Sequence, residues 1–265
     1  MHNLGLSLIF YFLKPMSFVI TVYVPEAIVM ASDSRQSITI AGQTPDGKKL
    51  PPVETIASDF TYKTFFLKKQ RVGISAYGNS LLGKVQMESH IKRLEEEKLD
   101  DSDAVDKVAD KLISYFKERF PDADTAFHIA GFKKEKGVSI PYVYACHIGR
   151  NERNRVNFNP GNNQVTYGCS WGGQSDIIST ILKPYQILGP DNKPIPAPHI
   201  PIIYDSMNVQ DAIDFTVYAV RTTIDTIKFQ ARAKNVGGSI DVLLLMPEEE
   251  KWMQRKELHA VTLVS

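Results

Sequence analysis

The chain has 265 residues, 43% of them hydrophobic, and 31 Lys and Arg against 30 Asp and Glu leave a formal net charge of +1. That length supports one large core or two small ones, and the balanced charge gives no electrostatic footprint for nucleic acid or an anionic membrane surface. Two cysteines, Cys146 and Cys169, are too few for a disulfide framework and lack zinc spacing; their use fits a reducing compartment.

Leu4 to Leu13 form an apolar run of about ten residues, the size of a signal-peptide core but too short to span a bilayer. Only His2 precedes it as a weakly basic residue, and Lys14-Pro15-Met16 follows in place of a small-x-small cleavage site. Residues 1–16 therefore read as a short propeptide, as sequence upstream of a real start at Met16, or as a weak export signal. The first two readings expose Ser17, because an initiator methionine is generally removed before a small residue. Residues 17–265 read as one domain.

Phe18 to Val24 is β-branched and aromatic, as a buried strand requires. Pro25-Glu26 turns the chain into a second apolar run, Ala27 to Ala31, completing a hairpin. Residues 42–60 are broken by Gly42, Pro45-Asp46-Gly47 and Pro51-Pro52 and read as a loop. Lys63 to Leu67 and Val72 to Tyr77 read as strands, with Gly78 closing the second. Helical spacing covers residues 80–97, and a second helix capped by Ser102 or Asp103 runs to about Phe120.

Strands are predicted at Phe127–Phe132 and Tyr142–Ile148, joined through Lys136-Gly137, with short ones at Val156–Phe158 and Val165–Tyr167. A helix follows at Ser175–Leu182, then a proline-rich loop over 184–201. Asn208 caps a fourth helix to about Ile227, Ile240–Met246 is a buried strand, and Trp252 to Val264 supplies an edge strand. Strands, two helices, strands, two helices, strands is a block alternation. It predicts an α+β fold with two antiparallel sheets between helix layers, a four-layer αββα sandwich.

The chemistry is concentrated near Ser17. A serine at a chain terminus carries nucleophile and base together, since its α-amine titrates at about 7.7–8.0 and can accept the hydroxyl proton. Asp33 lies sixteen residues on, in Ala31-Ser32-Asp33-Ser34-Arg35. Lys63 at a strand start could place an ammonium near the serine hydroxyl, with Asp33 orienting it, since a buried lysine without a partner is costly. Gly78 permits close approach and leaves a backbone N–H for an oxyanion. His128 and His147 lie in apolar strands and read as core or interface residues. No cofactor, metal site, phosphate loop or Gly-x-Ser-x-Gly elbow is read.

These motifs, in this order, resemble the proteasome β-type subunits of the N-terminal nucleophile (Ntn) hydrolase family, in which a terminal Thr heads a hairpin ending in Ala-x-Asp-Ser-Arg. Ser17 falls on the nucleophile without a gap. Lys63-Thr64-Phe65-Phe66-Leu67 resembles the strand of the family's lysine, and Gly73 to Gly78 the strand ending in the oxyanion glycine. Gly237-Gly238-Ser239-Ile240-Asp241-Val242 resembles a late Gly-Gly strand. The resemblance implies a threonine- or serine-type endopeptidase in the cytoplasm, with Ser17, Asp33, Lys63 and Gly78 as site residues, a peptide or protein substrate and a homo-oligomeric ring, and it leaves an ATPase partner open.

The chain also departs from the family pattern. Serine replaces threonine. About a dozen extra residues precede Lys63, and Lys49 in Gly47-Lys48-Lys49-Leu50 is a rival for the lysine. The family's Ser-Gly pair maps near Gly172-Gly173, with Ser170 and Ser175 as neighbours. Its late Asp and Ser fall on Ala233 and Val236. A catalytically inactive assembly subunit and a small-amide Ntn amidohydrolase therefore stand as alternatives.

Overall fold

The computed structural model describes residues 9–12, 17–44, 46–197 and 200–258. Strand β1 (Ile9–Phe12) comes first, followed by the hairpin of β2 (Phe18–Tyr23) and β3 (Ile28–Ser32), in which every residue is buried. The continuous apolar run predicts that, because a strand covered on both faces has no polar side to alternate.

The stretch read as a loop, residues 42–60, holds the turn and the second strand of a hairpin. β4 (Gln36–Gly42) pairs with β5 (Val53–Ser58), and β1 pairs with the other edge of β4, Ile9 opposite Gly42 and Phe12 opposite Thr39. Thr and Ile alternate through Ile38, Thr39 and Ile40, and Val53 to Ile56 is equally β-prone, so the breakers mark the turn between two strands rather than an open loop.

Next come β6 (Thr64–Leu67) and β7 (Val72–Gly78). The predicted helix at 80–97 begins later than expected. Residues 81–86 form a tight ribbon, β8 (Leu81–Leu82) and β9 (Val85–Gln86), turned by Gly83 and Lys84 at positive φ, and α1 is Met87–Lys98. In α2 (Val105–Arg119) the N-cap is Ala104, with no side-chain cap; Asp103 accepts instead from the Asp100 N–H and from Lys111. β10 (Thr125–Glu135) and β11 (Val138–His147) pair over ten positions through the turn at Lys136-Gly137.

Four short strands follow: β12 (Glu152–Arg155), β13 (Phe158–Asn159), β14 (Gln164–Val165) and β15 (Gly168–Gly173). Beyond α3 (Asp176–Leu182), the proline-rich segment carries a ribbon of β16 (Gln186–Leu188) and β17 (Pro194–Pro196). α4 (Val209–Phe229) starts with a capping box between Asn208 and Asp211, as its sequence predicts. β18 (Asp241–Leu245) and β19 (Glu250–Gln254) end the described elements.

The four-layer αββα sandwich expected from element order is overturned. The described residues are mostly antiparallel β, spread over six sheets rather than two, with four α-helices, one only seven residues long. The reason lies in the turn-rich segments. Their backbone N–H and C=O groups still need partners, and they find them in local ribbons at 36–58, 81–86, 158–165 and 186–196.

Two five-stranded sheets carry the cores, in the orders β12-β11-β10-β7-β6 and β15-β2-β3-β18-β19. α1 and α2 cover an apolar cluster on the first, including Leu112, Phe116 and Phe127. α4 covers one on the second, including Phe18, Ile20, Val22 and Val220. A third cluster joins the two sheets through Tyr23, Met30, Ala130, Val143 and Leu243. Among the described residues no helix is long and apolar enough to cross a membrane.

Candidate active site at Ser17

Ser17 sits immediately before β2 and is 4% exposed. Its carbonyl accepts the Gln174 N–H at 2.7 Å, continuing the ladder between β2 and β15. Gly173 makes this possible. It lies at φ +86, and a Cβ there would fall inside the Ser17 carbonyl oxygen. Only glycine combines that backbone with that approach.

Asp33, just past β3, is fully buried and accepts from four donors. Oδ1 takes the Phe18 N–H at 2.8 Å and the Lys63 ammonium at 2.6 Å; Oδ2 takes the Gly237 N–H at 3.0 Å and the Arg35 N–H at 3.1 Å. The carboxylate thus ties together the residue next to Ser17, the start of β6 and the glycine pair before β18. Three backbone N–H groups and the ammonium fix the direction of the carboxylate.

Lys63 is 2% exposed and also donates to the Arg35 carbonyl at 2.7 Å. Burial pulls its ammonium below the usual lysine range. The Asp33 carboxylate opposes that pull, and like-charge repulsion from Lys256 and Arg35 adds to it. Lys49, the rival, is exposed at the tip of the β4–β5 hairpin, bridged to Gln43; Lys63 is the lysine beside Asp33.

Arg35 turns outward. Its guanidinium holds Asp59 through two bonds of 2.6 and 2.9 Å and the Lys234 carbonyl at 2.9 Å. This bidentate pair raises Arg35 and lowers Asp59 relative to their ordinary values. Ser34 is fully buried and donates to the Ser239 carbonyl at 2.6 Å.

Gly78 ends β7 at φ +92, opposite Thr125, and a Cβ there would strike the Asp124 carbonyl. Among the described contacts none joins Gly78 to Ser17, so its glycine is explained by the β7–β10 crossing. The neighbouring Tyr77 reaches the Ser17 side instead: a Cβ on Gly172 would collide with its ring. Tyr77 and Gly172 help line a cleft of about 480 Å³ that follows β15, with Ser170, Trp171 and Gly173. Ala233 lines a second cavity of about 390 Å³ with Ser37, Glu54 and Lys234, and Val236 is 2% exposed. Neither position supplies a polar side chain.

Two features escape sequence reasoning. His128 is fully buried between two hydroxyls, Thr21 Oγ1 at 3.1 Å from Nδ1 and Ser170 Oγ at 3.2 Å from Nε2, with burial pulling it down to about 4. Thr21 and Ser170 are cross-strand neighbours, a relation visible only once β15 is known to pair with β2. Lys256 is the second: it is buried after β19 and paired with Asp241, far from Lys63 in sequence.

Both cysteines are free thiols, Cys146 buried and Cys169 lining the cleft along β15. Burial pushes Cys146 up to about 12 and Cys169 up to about 11, the latter against the Tyr204 hydroxyl at 3.0 Å; both stay protonated near neutrality. Among the described residues no group of three or more His, Cys, Asp or Glu could hold a metal ion.

No protein-family model matches the chain, and no curated protein matches it. The functional reading therefore rests on the residues themselves.

Proposed function

We propose that this protein is an Ntn hydrolase of the proteasome-like type, cutting peptide amide bonds with Ser17 once the Met16–Ser17 bond is opened. The observation that carries the reading is the Asp33 carboxylate. It holds the Phe18 N–H, one residue from the nucleophile, and the buried Lys63 ammonium on the same oxygen. The pair thus lies against the residue that follows Ser17 at the head of β2.

In this reading the Ser17 hydroxyl attacks the amide carbonyl and its proton passes to the freed α-amine. The Lys63 charge favours the alkoxide and discourages protonation of that amine beforehand. The tetrahedral intermediate expels the leaving amine, which takes the proton from the α-ammonium, and water then cleaves the Ser17 ester. The oxyanion donor is proposed from the family resemblance alone as the backbone N–H of Gly78, which no described contact joins to Ser17; loss of such a donor typically costs a factor of about 10²–10³. A cytoplasmic site of action and a symmetric ring of copies belong to the same proposal.

The apolar Ala233 and Val236 favour a second reading, an assembly subunit that is processed but inert. Intact mass and reaction with an electrophilic serine reagent separate the two. The expected result is a mature chain beginning at Ser17 that takes one adduct and hydrolyses peptides, with both reactions lost in Ser17→Ala. A processed chain that takes no adduct supports the inert subunit. An active chain still beginning at Met1 overturns the proposal. Small amides tested beside peptides show which substrate class is cut.

A further inference from the structure

Beside the Asp33–Lys63 pair lies a second buried ion pair that the proposed chemistry does not use. Asp241, the first residue of β18, is fully buried and stands opposite Ser32 in the register of β18 with β3, so it is one residue along from Asp33. Its Oδ1 accepts the Lys256 N–H at 2.8 Å and its Oδ2 the Lys256 ammonium. The two side chains are 1% and 0% exposed.

The segment after β19 is thus drawn inward over Tyr62. The Lys256 ammonium lies 4.2 Å from the centre of the Tyr62 ring, and the Tyr62 hydroxyl donates to the Lys256 carbonyl at 3.4 Å. Tyr62 is the residue before Lys63. The Arg255 guanidinium lies over both Tyr62 and Trp252, at 5.3 and 4.6 Å. Below, the Thr64 hydroxyl donates to Ser32 Oγ at 2.9 Å, pinning the residue after Lys63 to the strand that faces Asp241.

We propose that Lys256 is a positioning residue for the Ser17 site, which clamps Tyr62 and Asp241 around Lys63 and fixes the seat and charge of that lysine. The inference rests on the functional reading above for its consequence, but the coupling itself does not need catalysis. The charged groups around Lys63 are Asp33 and Arg35 after β3, Asp59 after β5 and held by Arg35, Asp241 on β18 and Lys256 after β19. Lys256 is the cation among them that no sequence motif announces. Its charge repels the Lys63 ammonium, and Asp33 in turn attracts Lys256. Losing the Lys256 charge therefore strengthens the hold of Lys63 on its proton.

The test uses full-length protein and two readouts. The first is the titration of Lys63 followed by NMR of labelled lysine, its resonance identified by its loss in Lys63→Arg. The second is the alkaline limb of the pH profile for adduct formation at Ser17. Lys256→Met removes the charge but leaves Asp241 unpaired, which can unfold the chain. The double variant Lys256→Met with Asp241→Asn removes both charges, a change that buried pairs often tolerate. Lys256→Met is expected to move the Lys63 titration and the alkaline limb to higher pH, the double variant to move them less in the same direction because the lost Asp241 charge offsets part of the change, while Lys256→Arg keeps them near wild type. A folded double variant whose Lys63 titrates as in wild type overturns the inference, as does a Lys63 that moves without the limb moving. If Ser17 takes no adduct in any form yet Lys63 still shifts, the coupling stands and the hydrolase reading fails.

Discussion

At one end of β2, four donors converge on a single carboxylate, and a second ion pair lies beside it. Three residues along the same strand, at Thr21, the buried polar partner is the His128 imidazole of β10, held between two hydroxyls with no carboxylate in contact. The first arrangement keeps charge inside the protein by pairing every charge with an opposite charge and backbone donors. The second avoids charge altogether, since an imidazolium between Thr21 and Ser170 would have nothing to balance it. Asp33 and Lys63 read as a centre that needs ions, and His128 as one that tolerates none.

Removing Asp33 should be the largest blow. Asp33→Ala leaves the Lys63 ammonium buried without its partner and strands three N–H groups, so a loss of about 3–5 kcal/mol is expected. Urea unfolding measures it, and reaction at Ser17 should disappear in whatever fraction remains folded. A loss under about 1 kcal/mol would mean that the charged cluster is less dependent on pairing than its geometry implies.

For His128 the effect is read through pH. Its folded value, about 4, lies below the ordinary 6.5. Its contribution is therefore complete above pH 6.5 and is lost as pH falls from there through 4, because the unfolded chain takes up the proton first. The full loss is about 3 kcal/mol. Urea midpoints of wild type should fall over that window, and those of His128→Gln should fall less. Equal slopes would show that the imidazole is charged in the folded state and would erase the contrast.

A smaller change sharpens the Ser17 side. Gly173→Ala forces a Cβ into the Ser17 carbonyl at a backbone angle that favours glycine, with an expected cost of about 2 kcal/mol and slowed adduct formation. Ser34→Ala, which leaves only the Ser239 carbonyl without its donor, should cost about 1 kcal/mol and leave the Lys63 titration in place.

How far the sequence reveals these centres depends on where their partners lie. The β2–β3 hairpin, the pairing of Lys63 with Asp33 and the Asn208 cap are legible because each follows from a local pattern and a rule about buried charge. The Pro- and Gly-rich stretches at 42–60 and 184–201 were expected to be loops, since breakers obscure the short β-prone runs beside them. That error fed directly into the overturned sandwich. Lys256 gives no local sign, because it follows a strand in a polar segment and is drawn inward only by Asp241. His128 shows as apolar-strand histidine, but its two hydroxyl partners come from another sheet.

The Gly237 N–H that closes the Asp33 cage comes from 204 residues away, and the pairing of β3 with β18 is of the same long range. Contacts so distant along the chain form late, after their loop-closure entropy has been met by other structure. On a ribosome, a nascent chain that has passed Lys63 holds Ser17, Asp33 and the lysine but lacks the strand that completes their enclosure. The enclosure of Asp33 therefore waits on residues 237–241, and a chain that lacks them cannot complete it.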